Sequence, residues 1–168
     1  MMLDQLDLAL IAVMHDHPRA GVLELSRTTS VARGTVQARL RRLEEAGVIT
    51  GYGPDVDLRA AGFPVQAYVT LEIAQGALDE VREALDAISQ VVEAVVTTGS
   101  FDVLCLVATA SHEELQGTLL RLDQSPSIVR STSIVVLSVL IPRRVQPLLE
   151  SAPRPGTTRA PAYRSHGS

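Results

Sequence analysis

Four arginines fall within ten residues, Arg33, Arg39, Arg41 and Arg42, in the stretch "VARGTVQARLRRLEEAGVIT" that runs from Val31 to Thr50. No acid separates them, and Thr35 and Gln37 lie among them. This set of side chains suits recognition of a polyanion. An arginine fork can donate two hydrogen bonds to guanine, and a glutamine amide can satisfy adenine in the same two-pronged way. Threonine and further arginines can hold phosphates, which fix register without carrying sequence information. The surroundings make the block stand out. The chain carries fifteen basic residues, all arginine, against nineteen acids, for a formal net charge of −4.

The charge is unevenly spread. Residues 1–59 hold seven arginines and eight acids, net −1. Residues 60–142 hold three arginines and ten acids, net −7, and residues 143–168 hold five arginines and one acid, net +4. The middle segment therefore repels nucleic acid, and any contact with it must come from the start or the tail.

The cationic block must be positioned by a helix. Val36, Leu40 and Leu43 share one face at about 100° per residue. That places Gly34, Gln37, Ala38 and Arg41 outward, with Arg33, Thr35 and Arg42 flanking them. Thr35, Arg41 and Arg42 are candidate phosphate ligands. Arg39 falls nearer the core side, within reach of an acid such as Asp7 or Glu24, which gives it a structural role. Gly34 costs about 1 kcal/mol in a helix interior. Facing outward in the first turn, it lets DNA approach the backbone closely, unless it is incidental on a solvated face. Gly47 ends the helix as a C-cap.

Two shorter helices precede it. Leu3, Leu6, Leu10 and Val13 or Met14 recur at helical spacing, with Asp4 available as an N-cap, and Pro18 stops that run. A second helix spans Val22 to Thr28, with Val22 and Leu25 inward. After the third helix, "VITGYG" reads as a short strand. Three short helices and a strand describe a winged helix-turn-helix, whose third helix lies in the major groove with its N-terminal half against base edges.

From Val65 the period changes to two, and a strand, a helix from Leu78 to Ile88, and two strands joined at Gly99-Ser100-Phe101 follow. Ser111-His112-Glu113-Glu114 reads as a capping box opening a helix with Leu115, Leu119 and Leu122 inward. Ile128 to Ile141 reads as one long final strand. The β-α-β-β-α-β order is ferredoxin-like, and the fold class is α+β. Helices cover one sheet face; "VLCLVA" and "IVVLSVLI" are apolar on both faces, so the other face is expected to pack against a second copy. The expected domains are a winged helix-turn-helix at 1–50, a hinge strand and linker at 51–64, a βαββαβ domain at 65–142, and a basic, disordered tail at 143–168.

Other classes find little support. No apolar run reaches the roughly 20 residues of a membrane span, and the acids in "MMLDQLDLAL" argue against an export signal. The single cysteine, Cys105, reads as a small buried hydrophobe and suits a cytoplasmic protein. The four histidines, His15, His17, His112 and His166, form no metal-ligand or catalytic pattern, so neither cofactor, metal nor enzymatic activity is expected. Arg154, Arg159 and Arg164 either add nonspecific phosphate attraction or decorate a solvated end.

"LDQLDLALIAVM", "VQARLRRLEEAGVITGY" and "TTGSFDVLCLV", in this order and spacing from about Leu3 to Ile141, resemble the Lrp/AsnC family of feast/famine transcriptional regulators. The resemblance implies a regulator of double-stranded DNA that dimerises through its C-terminal sheets and assembles further into tetramers or octamers. It implies a small effector, commonly an amino acid, held between subunits, and a hinge strand at "TGYGPDVD". The family's Gly-x-x-Asp turn matches Gly99, Ser100, Phe101 and Asp102, and its threonine pair matches Ser131 and Ser133. Turn N–H groups can hold a carboxylate, Asp102 can accept from an ammonium, and the serine hydroxyls can complete either end. Alternatively, Gly99 only permits the turn and Asp102 caps it. The chain departs from the family pattern twice. Ala32 stands where a serine usually caps the third helix, leaving Ser30 or Thr29 to serve, and serines replace the threonines. Two other readings of the scaffold are a tetrapyrrole decarboxylase-like enzyme and a small-molecule sensor without DNA binding.

Overall fold

The computed structural model describes residues 2–151. Among these, two compact units emerge: one of residues 2–54 together with 142–151, the other of residues 55–141.

The first unit is built on three helices, α1 (Gln5–Asp16), α2 (Val22–Thr29) and α3 (Arg33–Glu45). Asp4 caps α1 as its spacing predicts. Its carboxylate accepts from the Leu6 and Asp7 N–H groups while the Asp7 carboxylate accepts from the Asp4 N–H, a reciprocal box. Leu10, Leu25 and Val36, one from each helix, form the buried centre, with Leu6, Val13, Val22 and Leu40 packed around them. The turn between α2 and α3 is tight because Ser30 adopts a left-handed conformation at φ +56°. The Ser26 hydroxyl braces it by donating to the Val31 carbonyl at 2.6 Å. Gly47, at φ +66°, closes α3 in a Schellman arrangement: its N–H bonds Glu44 O and the Val48 N–H bonds Leu43 O.

Two expectations in this unit are corrected. "VITGYG" forms no strand. The Val48 and Ile49 N–H groups are both spent on Leu43 O, which leaves no free ladder at its start. The segment after Pro142 is not wholly irregular either, since a short helix, α6 (Gln146–Ser151), forms there. Pro147 sits in its first turn, where its missing N–H costs nothing. Residues 152–168, including Arg154, Arg159, Arg164 and His166, lie outside the described residues.

The second unit is an antiparallel four-stranded sheet of β1 (Val65–Ile73), β2 (Val91–Val96), β3 (Val103–Thr109) and β4 (Ile128–Val135), in the order β2-β3-β1-β4. The helices α4 (Leu78–Asp86) and α5 (His112–Asp123) complete the β-α-β-β-α-β order. Ala67, Val69 and Leu71 of β1 and Val103, Cys105 and Val107 of β3 point to the helix side and pack on Val81, Leu85, Leu115 and Leu122. Burial pushes the Cys105 thiol up to about 11, as a core position requires. Ser111 caps α5 through the Glu114 N–H, but Glu114 reaches back to the Ala110 N–H rather than to that of Ser111, so the expected box is displaced by one residue.

The last strand is shorter than expected. It ends at Val135, and residues 136–141 leave the sheet. The Val136 N–H still bonds Gln66 O at 2.8 Å. Beyond that point β1 has run out, and the preceding Pro64 has no N–H to offer.

Candidate DNA interface and effector turn

Helix α3 presents an outer surface of Arg33, Gly34, Thr35, Gln37, Ala38 and Arg41, all exposed. Arg33, Gln37 and Arg41 recur every four residues and form one stripe. Among the described residues neither Arg33 nor Arg41 has an ion-pair partner. Ala32 is the N-cap and supplies no side-chain acceptor. The alternatives are engaged elsewhere: Thr29 donates to Leu25 O, and Ser30 makes the left-handed turn. The positive end of α3 is thus open toward the same side as Arg33.

The other two arginines behave differently. Arg39 pairs with Asp4 and reaches Asp7 at 3.3 Å, not Glu24. The hydrogen bond that Arg39 donates to the Asp4 carboxylate, working against partial burial, raises the pKa of Arg39 above its ordinary value. Burial raises that of Asp4, but bonds from the Asp7 N–H and from Arg39 outweigh it and bring the value below normal. Arg42, expected as a free flanking cation, also turns inward and pairs with Asp7. The correction has a simple cause. A side chain at the edge of the outer face is long enough to fold back to a buried carboxylate, and Asp7 is fully buried. Asp7 was expected as one possible partner of Arg39 and is one; its hold on Arg42 as well was not expected.

Gly34 has an ordinary negative φ, and a Cβ there would meet nothing within 4 Å. The chain itself therefore does not require glycine. Gly34→Ala is expected to stabilise the fold by about 0.4–1 kcal/mol and yet weaken DNA binding, if DNA approaches the backbone here. Thermal denaturation and a duplex titration read the two effects separately.

In the second unit, Gly99 adopts φ +128°, a backbone that favours glycine. Gly99, Ser100, Phe101 and Asp102 link β2 to β3, and the turn is tied by the Thr97 N–H to Asp102 O at 2.8 Å and the Thr97 hydroxyl to Phe101 O at 2.8 Å. Asp102 also grips β1. Its N–H donates to Leu71 O, and its carboxylate accepts from the Ile73 N–H at 2.8 Å. One carboxylate oxygen is thus used in holding the turn. Ser131 pairs with Leu71 from the opposite side of β1, and Ser133 pairs with Val69. The turn and the serines therefore flank the C-terminal end of β1, one strand spacing to either side, about 10 Å apart in all. Ser131 donates to Asp123 at 2.6 Å, whereas Ser133 is exposed.

Residues 3–50 match the winged helix-turn-helix DNA-binding family, and residues 66–146 match the Lrp/AsnC ligand binding domain. The HTH-type transcriptional regulator Rv2324 of Mycobacterium tuberculosis is 35% identical over 143 residues, covering 84% of this chain and 96% of the relative. This chain belongs to the Lrp/AsnC family of transcriptional regulators. Among solved structures, AsnC of Escherichia coli matches with a TM-score of 0.80 at 24% identity, over 88% of this chain and 100% of that one. A Neisseria meningitidis regulator, NMB0573, solved as a complex with L-Met, matches with a TM-score of 0.76 at 20% identity, over 83% of this chain and 93% of that one. The Lrp/AsnC chain described here is thus a helix-turn-helix transcriptional regulator with an effector-binding domain, and its relatives are named as regulators. Among the described residues, no helix is long and apolar enough to cross a membrane.

Proposed function

We propose that the protein reads double-stranded DNA through Arg33 and Gln37 of α3, with Thr35 and Arg41 on phosphates and Gly34 and Ala38 at the closest approach. The division of the arginines supports this most. The chain absorbs Arg39 and Arg42 into its own acids, whereas Arg33 and Arg41 have no ion-pair partner among the described residues and stand beside an open helix start. The sheet face away from the helices joins two copies into a dimer, which places two recognition helices on one duplex, and dimers assemble into tetramers or octamers.

The effector is an amino acid held at Gly99–Asp102, with Ser131 and Ser133 nearby. The free oxygen of Asp102 receives the ammonium, and turn N–H groups receive the carboxylate. The L-Met complex of the Neisseria relative supports this class of ligand. Amino acids should raise the melting temperature in a thermal-shift titration. Asp102→Asn keeps an acceptor for the Ile73 N–H but removes the charge. It is expected to abolish that response and to leave effector-free DNA binding largely intact. An unchanged response would refute the assignment.

A further inference from the structure

The pairing between α1 and α3 bears on how strongly this protein is drawn to DNA of any sequence. Asp7 is fully buried, and each of its oxygens is occupied. Oδ2 takes the Asp4 N–H at 2.9 Å and the Arg42 guanidinium, and Oδ1 takes Arg39 at 3.3 Å. Asp4 lies further from Arg42, at 3.9 Å. Arg42 itself is 44% exposed. It falls seven residues after Thr35, two turns along the same stripe, so its backbone position would suit a phosphate contact.

We infer that Asp7 withholds Arg42 from DNA, acting as an internal substitute for a phosphate that lowers the number of charges the recognition helix presents. The inference rests on the reading of α3 as the DNA-facing helix. Its physical basis is the unequal position of the two anions. A phosphate contact at the surface is screened and can be exchanged for water and salt. A buried carboxylate that loses an arginine is left under-compensated in a low-dielectric site, which is costly. Arg42 therefore stays with Asp7 when DNA arrives. The consequence is selectivity. Phosphate contacts strengthen binding to every sequence alike, so fewer of them lower nonspecific affinity while the base-reading residues are untouched. Asp7 is a positioning residue: it touches no DNA and acts through Arg42.

Salt dependence reads this directly, because each phosphate neutralised adds about 0.9 to the slope of log K against log salt. Binding of the full chain to a short duplex of random sequence is measured over a salt series. Arg41→Ala should make the slope shallower by about 0.9 per copy bound, whereas Arg42→Ala should leave it unchanged. Asp7→Asn, which keeps an acceptor for the Asp4 N–H, should make it steeper by about 0.9, and Asp7→Asn/Arg42→Ala should return it to the wild-type value. A purely structural role for Asp7 would lower affinity without steepening the slope, and would overturn the inference. So would a drop in slope at Arg42→Ala equal to that at Arg41→Ala. Should Asp7→Asn fail to fold by circular dichroism, the Arg42→Ala result decides alone. If Arg41→Ala changes nothing, the assignment of the outer face fails instead, and the Asp7→Asn slope still tests the withholding of Arg42.

Discussion

Replacing Arg33 and Gln37 together by alanine is expected to weaken binding to a specific operator by about 1–3 kcal/mol for each base that is no longer read. With neither base read, the loss is about 2–6 kcal/mol per half-site, roughly thirtyfold to more than ten-thousandfold. The reason begins at the start of α3. Arg33 is its first residue and Gln37 follows one turn later on the same stripe, in the N-terminal half that meets base edges in this motif. Both side chains are exposed and neither helps to hold the fold, so stability should hardly change. Binding to random sequence should fall only by the share of one arginine's phosphate attraction. The operator-to-random ratio, measured at one salt concentration by fluorescence anisotropy, is the decisive quantity. A double variant that keeps its wild-type affinity for the operator would show that the reading face has been assigned to the wrong side of the helix.

That face was legible before the structure because helical periodicity fixes which residues point outward. Val36 and Leu43 are fully buried as their spacing predicts, and the six outward or flanking positions from Arg33 to Arg41 are exposed. Periodicity does not fix where a long side chain ends. Arg42 lies at the edge of the outer face by angle, yet its guanidinium is on Asp7, and only a residue far away in sequence decides that. The strands divide in the same way. β1 and β3 were plain from alternation or from a continuous apolar run between turns. "IVVLSVLI" has the composition of a strand throughout, but a strand also needs a neighbour, and β1 runs out just beyond the bond from the Val136 N–H to Gln66 O. The helix at Gln146–Ser151 was hidden by Pro147, whose breaker signal reverses in a first turn. The turn at Gly99–Asp102 was legible in its glycine. The engagement of Asp102 with the Ile73 N–H was not, since it depends on which strand lies beside the turn.

Replacing Tyr68 and Ile134 together by aspartate is expected to convert the proposed dimer into a monomer. Tyr68 stands between Ile134 and Leu106 in one row across the sheet, and Thr70 between Thr132 and Leu104 in the next. These rows lie on the side opposite Ala67, Val69 and Leu71, which the helices cover. Nothing among the described residues covers them in turn: Tyr68 is 43% exposed and Ile134 59% exposed. Residues 136–141 add further exposed apolar side chains, Leu137 at 91% and Leu140 at 93%. Monomeric proteins rarely expose so continuous an apolar patch. A second copy laid on the same face would bury it by two-fold symmetry, so each substitution is felt twice. Four uncompensated carboxylates at a desolvated interface, together with the missing burial of tyrosine and isoleucine, should weaken association by at least about 4 kcal/mol, near a thousandfold. The core residues beneath are untouched, so the far-ultraviolet spectrum should be retained. Analytical ultracentrifugation would then find a folded monomer. Its affinity for an operator with two half-sites should fall toward that for a single half-site, because the second recognition helix is no longer held at a high effective concentration. A variant that sediments as the wild type does would mean that the apolar rows serve some other purpose, and that the two recognition helices are joined elsewhere.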